Sequence, residues 1–303
     1  MSKPLENVIA LVTGASRGVG KGIALGLGEA GATVYVTGRT VSAGALPGTI
    51  GETAAEVTAL GGKGIAVACD HADDAQVKAL IERVLAESGR IDVLVNNAFA
   101  IPDGNVLGKF WELPLDQWDT MHRVGLRSHF VASHYAAPSM IERNSGLIVN
   151  VSSFGAKIYA VSVAYGVGKA GVDRMTRDMA RELKPHGVSV VSLWPGIVKT
   201  ERLLLEPDRI GFDPSKGESP QFSGRAVAAL AGDPERMKVT GESLVVAELA
   251  SKYGFTDLAD IRGEIPAGPW PGGWGGNGRP PNTKRCGARG WRSRCSKQGS
   301  SCC

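Results

Sequence analysis

The stretch Val8-Ile9-Ala10-Leu11-Val12-Thr13-Gly14-Ala15-Ser16-Arg17-Gly18-Val19-Gly20 joins a continuous apolar run to a glycine-rich turn. Five apolar residues without alternation predict a strand buried on both faces. Beyond the turn, Val19, Ile23, Leu27 and Ala30 recur at helical spacing. Glycines at 14, 18 and 20 let the backbone bend tightly and approach a phosphate, whose charge is favoured at a helix N-terminus. A bare glycine triplet is weak evidence, because a flexible turn has the same composition. The strand before it and the helix after it supply the context a dinucleotide site requires.

The rhythm set there continues along the chain. Strands are predicted at 33–37, 65–69, 91–95, 147–151, 188–193 and 243–247. Helical patterns cover 77–85, 116–140 and 165–183, and Ser223 is expected to cap a short helix ending near Leu230. This alternation predicts an α/β fold. It is Rossmann-like and doubly wound, with a mostly parallel sheet covered by helices on both faces in three α/β/α layers. Ligands of such folds bind at the carboxyl ends of the strands. Residues 1–265 read as a single dinucleotide-binding and catalytic domain. Within it, 194–222 is a long connection expected to act as a substrate loop.

Charge and cysteine separate this body from a tail at 266–303. The tail holds seven of the 34 Lys and Arg residues and no acid. Removing those seven leaves 27 basic against 30 acidic residues, a net of −3, so the main domain is not expected to grip nucleic acid. Cys69 is alone in the body, while Cys286, Cys295, Cys302 and Cys303 lie in the tail. One thiol is no disulfide framework, which points to a reducing compartment. With no apolar leader before Val8 and no long apolar run, the expected location is cytoplasmic and no transmembrane segment is expected. The tail has three readings: a disordered basic extension, a lipidated end at Cys302 and Cys303, or a misread end of the reading frame.

The second strand bears on which nucleotide is bound. No Asp or Glu occurs between Ala30 and Gly51. An NAD site usually places a carboxylate there. Gly38-Arg39 closes the strand instead, and Arg17 sits within the glycine turn. Two guanidiniums without a carboxylate suit a 2′-phosphate. NADP(H) is therefore the expected cofactor, with NAD(H) the less favoured option.

Tyr165 and Lys169 lie four apart on one helix face. A free tyrosine titrates near ~10. A neighbouring cation favours its phenolate and fits it for proton exchange with an alcohol or carbonyl oxygen. Ser152 ends the 147–151 strand, thirteen residues before Tyr165, placed to hold a substrate oxygen. Its neighbour Ser153 is a rival for that role. No His, Cys or Asp cluster has metal-ligand spacing, and His122, His129 and His134 read as surface residues.

Taken together, these motifs resemble those of the short-chain dehydrogenases/reductases over roughly residues 5–250. Thr13–Gly20 is similar to that family's glycine motif, including Ser16 and Val19. Asp70 matches its adenine-contacting acid. Asn96-Asn97-Ala98 matches most of its Asn-Asn-Ala-Gly motif. Ser152, Tyr165 and Lys169 fall on its catalytic positions. Pro195-Gly196-Ile197-Val198-Lys199-Thr200 matches its segment beside the nicotinamide. The resemblance implies an enzyme that interconverts a carbonyl compound and an alcohol. Tyr165 would be the general acid/base, Lys169 would lower its pKa and bind the nicotinamide ribose, and Ser152 would orient the substrate. It also implies a homodimer or homotetramer, formed through the helices near 116–140 and 165–183.

Two positions depart from the family pattern. Gly125 stands where most members carry an Asn that anchors a water relay, and Phe99 replaces the last Gly of Asn-Asn-Ala-Gly. The alternative that Gly125 leaves open is a slow or inactive NADP(H)-binding sensor or scaffold, while Phe99 places an aromatic ring near the pocket. Phe99, Phe154, Tyr159 and Trp194, with Trp111 and 203–205, follow strand ends. They are expected either to line a large apolar substrate pocket or to cover the core.

Overall fold

The computed structural model describes residues 3–258, and the tail at 266–303 lies outside them. Seven strands form one parallel sheet in the order β3-β2-β1-β4-β5-β6-β7. They are β1 (Ile9–Val12), β2 (Thr33–Gly38), β3 (Lys63–Ala68), β4 (Val93–Asn96), β5 (Gly146–Val151), β6 (Val188–Trp194) and β7 (Ser243–Val245). The predicted Rossmann-like architecture is the observed one. Side chains alternate across the sheet, so β1 serves two cores. Ala10 and Val12 pack beneath the helices α1 (Gly18–Glu29) and α2 (Ile50–Ala59), whereas Leu11 joins the opposite face. That second face is covered by α3 (Asp74–Ser88), α5 (Ser128–Glu142) and α6 (Val163–Leu183).

The predicted helix at 116–140 is three pieces: α4 (Asp116–His122), a π-helical turn at Arg123–Arg127, and α5. The connection after β6 contains two short helices, α7 (Glu201–Leu205) and α8 (Pro207–Ile210). The helix that follows, α9 (Pro220–Gly232), is capped by Ser219, not Ser223. Ser219 accepts from the Phe222 amide and Pro220 takes the first helical position, a favoured start. Ser223 is buried inside that helix. The last predicted strand stops at Val245, where α10 (Val246–Tyr253) begins.

Helices α1 and α9 cross almost backbone to backbone. A Cβ at Gly26 would lie 2.4 Å from the Gly224 carbonyl carbon, and one at Gly22 would lie 2.0 Å from the Pro220 oxygen. No helix among the described residues is long and apolar enough to cross a membrane. Gly26→Ala forces the two helices apart. It is expected to cost about 1–3 kcal/mol, seen as a lower urea midpoint with the fold retained.

Candidate active site

The strand order reverses between β1 and β4, so the turn after β1 and the residues after β4 meet at one edge. Gly14 and Gly18 have φ of +65° and +58°, which favours glycine at both. Asn97 holds this turn. Its side-chain amide donates to the carbonyls of Thr13 (2.9 Å) and Gly14 (3.0 Å). The Thr13 hydroxyl accepts from the amides of Asn97 and Ala98. A Cβ at Gly20 would lie 2.4 Å from the Asn97 amide nitrogen. Ser16 is buried, and Val19 packs on the core from the first turn of α1.

An anion already sits at this turn. The Gly18 amide, at the start of α1, donates to Glu201 Oε2 at 2.7 Å. The donor is one that a helix N-terminus offers to phosphate, so the cradle fits a pyrophosphate. The Arg17 guanidinium is turned elsewhere and donates to the carbonyls of Leu46, Pro47 and Gly48. Of the two arginines expected to face a phosphate, Arg17 is thus bound to the 46–48 loop instead. Arg39 is largely exposed at the end of β2, with Asp70 3.9 Å away. Asp70 accepts from the Ala72 amide.

The Tyr165 hydroxyl donates to Ser153 Oγ at 2.9 Å. Ser153 also accepts from the Gly155 amide. Ser152 does not reach the phenol. It is 3% exposed, and its hydroxyl donates to the Lys169 backbone carbonyl at 3.1 Å. Successive residues of an extended chain point to opposite sides, and Ser153 is extended, with φ −168° and ψ 172°. The rival serine therefore takes the place expected of Ser152. Lys169 is buried, and its ammonium donates to the Val151 carbonyl at 3.1 Å. Burial pushes this lysine down to about 8, opposed by Asp173. Burial also raises the Tyr165 phenol above its ordinary value, against the Ser153 hydrogen bond. The expected lowering of the phenol is thus reversed, because loss of water around it dominates.

The segment after β6 comes back to the glycine turn. Thr200 caps α7, and its methyl would lie 3.2 Å from a Cβ at Gly18. Pro195 is buried. The Gly196 amide donates to Glu218 Oε1, and the Ile197 carbonyl accepts from the Glu218 amide. Burial pushes Glu218 up to about 8. Glu201 and Glu218 escape a reading of the sequence. Glu201 had a signal, an acid directly after the Thr200 cap; Glu218 had none.

The aromatic residues divide. Phe99 packs edge-on to Tyr165, with centroids 5.8 Å apart. Phe154 packs on Trp194. Trp194 itself is 4% exposed and its indole donates to Asp173, so it is a core residue. Tyr159 and Trp111 are exposed. His129 is buried and its Nε2 donates to the Ala98 carbonyl, contrary to its expected surface position. Among the described residues no group of three His, Cys, Asp or Glu is placed to hold a metal.

Residues 8–206 match the family described as short chain dehydrogenase. The chain belongs to that family. It is 45% identical over 273 residues to dehydrogenase/reductase SDR family member 1 of Mus musculus, with 85% of each chain covered. It is 34% identical over 242 residues to a 3-oxoacyl-(acyl-carrier-protein) reductase of Synechocystis sp., covering 78% of this chain and 94% of that one. The crystal structure of a metagenomic short-chain oxidoreductase in complex with NADP matches with a TM-score of 0.66 at 30% identity. It covers 80% of this chain and 97% of that one. This short-chain dehydrogenase is therefore an oxidoreductase of a family that uses NAD(P).

A pyrophosphate at the Gly18 amide has to displace the Glu201 carboxylate. Glu201→Ala is expected to tighten binding of either NADH or NADPH by about five- to tenfold, since a hydrogen bond to a charged group no longer has to be broken. A fluorescence titration measures this.

Proposed function

We propose that the protein interconverts a hydrophobic ketone or aldehyde and its alcohol with NADP(H), with Tyr165 as general acid/base. The observation that carries this reading is the Tyr165–Ser153 hydrogen bond of 2.9 Å beside the buried Lys169 ammonium. When bound, the nicotinamide supplies or accepts the hydride. In reduction, Tyr165 gives its proton to the substrate oxygen. Ser153 holds that oxygen and stabilises charge developing on it. The Ser153 hydrogen bond opposes the upward push of burial on the phenol, and to the Lys169 ammonium, 5.8 Å from the Tyr165 ring centroid, we assign the role of favouring the phenolate. Ser152, bonded to the Lys169 carbonyl, joins the end of β5 to α6 and acts as a positioning residue.

The NADP(H) preference is supported by Arg39 at the end of β2 and by the absence of any carboxylate between Ala30 and Gly51. The apolar substrate class is supported by Phe99 at the Tyr165 ring and by exposed Tyr159, Leu204 and Leu205. Self-association through α4, α5 and α6 is supported by exposed Trp118, Phe130 and Val167 on those helices.

Three substitutions test the chemistry. Tyr165→Phe should abolish ketone-dependent NADPH oxidation yet leave NADPH binding unchanged. Ser153→Ala should lower kcat/KM by about a hundredfold. Ser152→Ala should mainly cost stability, about 1 kcal/mol. A folded Ser152→Ala enzyme with the larger loss of kcat/KM would return the role to Ser152. The scaffold alternative predicts no turnover of any aromatic or aliphatic ketone by the parent enzyme.

Cofactor choice is tested separately. NADPH should bind more tightly than NADH in a fluorescence titration, and Arg39→Ala should narrow the gap by about tenfold. Equal dissociation constants for the two cofactors in the parent protein refute the preference.

A further inference from the structure

Phe99 and Gly125 depart from the family pattern separately in sequence, but they are one feature in space. Gly125 is buried on the π-helical turn at Arg123–Arg127. A Cβ there would lie 2.4 Å from Phe99 Cδ2 and 2.7 Å from Cε2. The ring of Phe99 therefore fills the space that any side chain at 125 would need. Its face is turned to the Lys169 ammonium, with Nζ 4.8 Å from the ring centroid. The same ring packs edge-on to Tyr165, at an interplanar angle of 89°.

We infer that Phe99 is a positioning residue that caps the Lys169 ammonium, replacing a polar partner on the Gly125 side with the face of an aromatic ring. This inference rests on the proposed roles of Tyr165 and Lys169. The physical argument begins with the donors of Lys169. An ammonium has three N–H groups, and among the described residues its one hydrogen bond goes to the Val151 carbonyl. A ring face within about 6 Å attracts a cation, more strongly when water is excluded. The Phe99 ring is the nearer of the two aromatic rings at the ammonium, the Tyr165 centroid being 5.8 Å away. Tyr165 and Asp173 come from its own helix, and Asp173 favours the charged form. His129 faces it from α5 and is pushed down to about 3 by burial, so it adds no charge near neutrality.

The ring also explains why Gly is needed at 125. A side chain there would drive Phe99 off the ammonium and away from Tyr165. The space beside the lysine is thus apolar where a water-anchoring residue would make it wet.

The test titrates Lys169 directly in the cofactor-free, full-length protein. Lysines carrying 13C at Cε are followed by NMR, and the Lys169 signal is assigned by its loss in Lys169→Arg. Phe99→Leu and Phe99→Met remove the ring face while keeping an apolar side chain. Both are expected to shift the Lys169 midpoint down by about 0.5–1 pH unit, because the charged form loses its cap. Phe99→Tyr keeps the face and is expected to titrate with the parent. The inference is overturned if the Leu and Met variants coincide with the parent, or if the Tyr variant shifts as far as they do. Retained turnover in Tyr165→Phe would sink the proposed chemistry, and the NMR titration would still decide whether Phe99 caps the lysine.

Discussion

Asn97 donates from one side-chain amide to the carbonyls of both Thr13 and Gly14, tying the end of β4 to the turn after β1. The Thr13 hydroxyl returns the link by accepting from two amides of the β4 side. These bonds fix the turn at Gly14, whose φ is +65°. Every other part of the site takes its position from that seam. The 195–201 segment meets the same turn at Gly18 through Thr200 and Glu201, and the β5 end lies on the far side of β4. Without the seam there is a sheet, but nothing that sets the turn after β1 against the residues after β4.

Much of the fold is legible because parallel strands buried on both faces are continuous apolar runs. β1, β4 and most of β5 have this form, whereas Ser189 and Ser192 interrupt β6. The helix α2 is not legible in the same way. Its buried residues are Ile50, Thr53, Ala54 and Val57, a stripe too small and too polar to stand out. The signal that marks it is the capping box of Thr49 and Glu52, in which each side chain accepts from the other's backbone. At α9 two serines compete for the cap. Ser219 and Ser223 are both plausible from spacing, but only Ser219 precedes a proline that can begin a helix.

The site shows the same division. Tyr165 and Lys169 are legible because a helix puts residues four apart on one face. The choice between Ser152 and Ser153 is not, because it depends on which way an extended chain is facing as it leaves the sheet. Arg17 is an equally local residue whose partner is remote. The carbonyls of 46–48 that hold it belong to a loop with no pattern of its own. The direction of the Tyr165 shift is likewise set by tertiary burial, which no motif encodes. Phe99 and Gly125 look like two independent defects until the ring is seen occupying the missing side chain's volume.

The glycine crossing of α1 and α9 has a mechanical consequence. Helix α1 begins at the phosphate turn, and α9 begins where the connection after β6 ends. With Gly22 and Gly26 seated against Pro220 and Gly224, neither helix can tilt without the other. They form a single rigid beam under the ligand-binding edge. The starts of α1 and α9 are thereby locked at one spacing, and the chain between Gly196 and Ser219 has to fit between fixed ends.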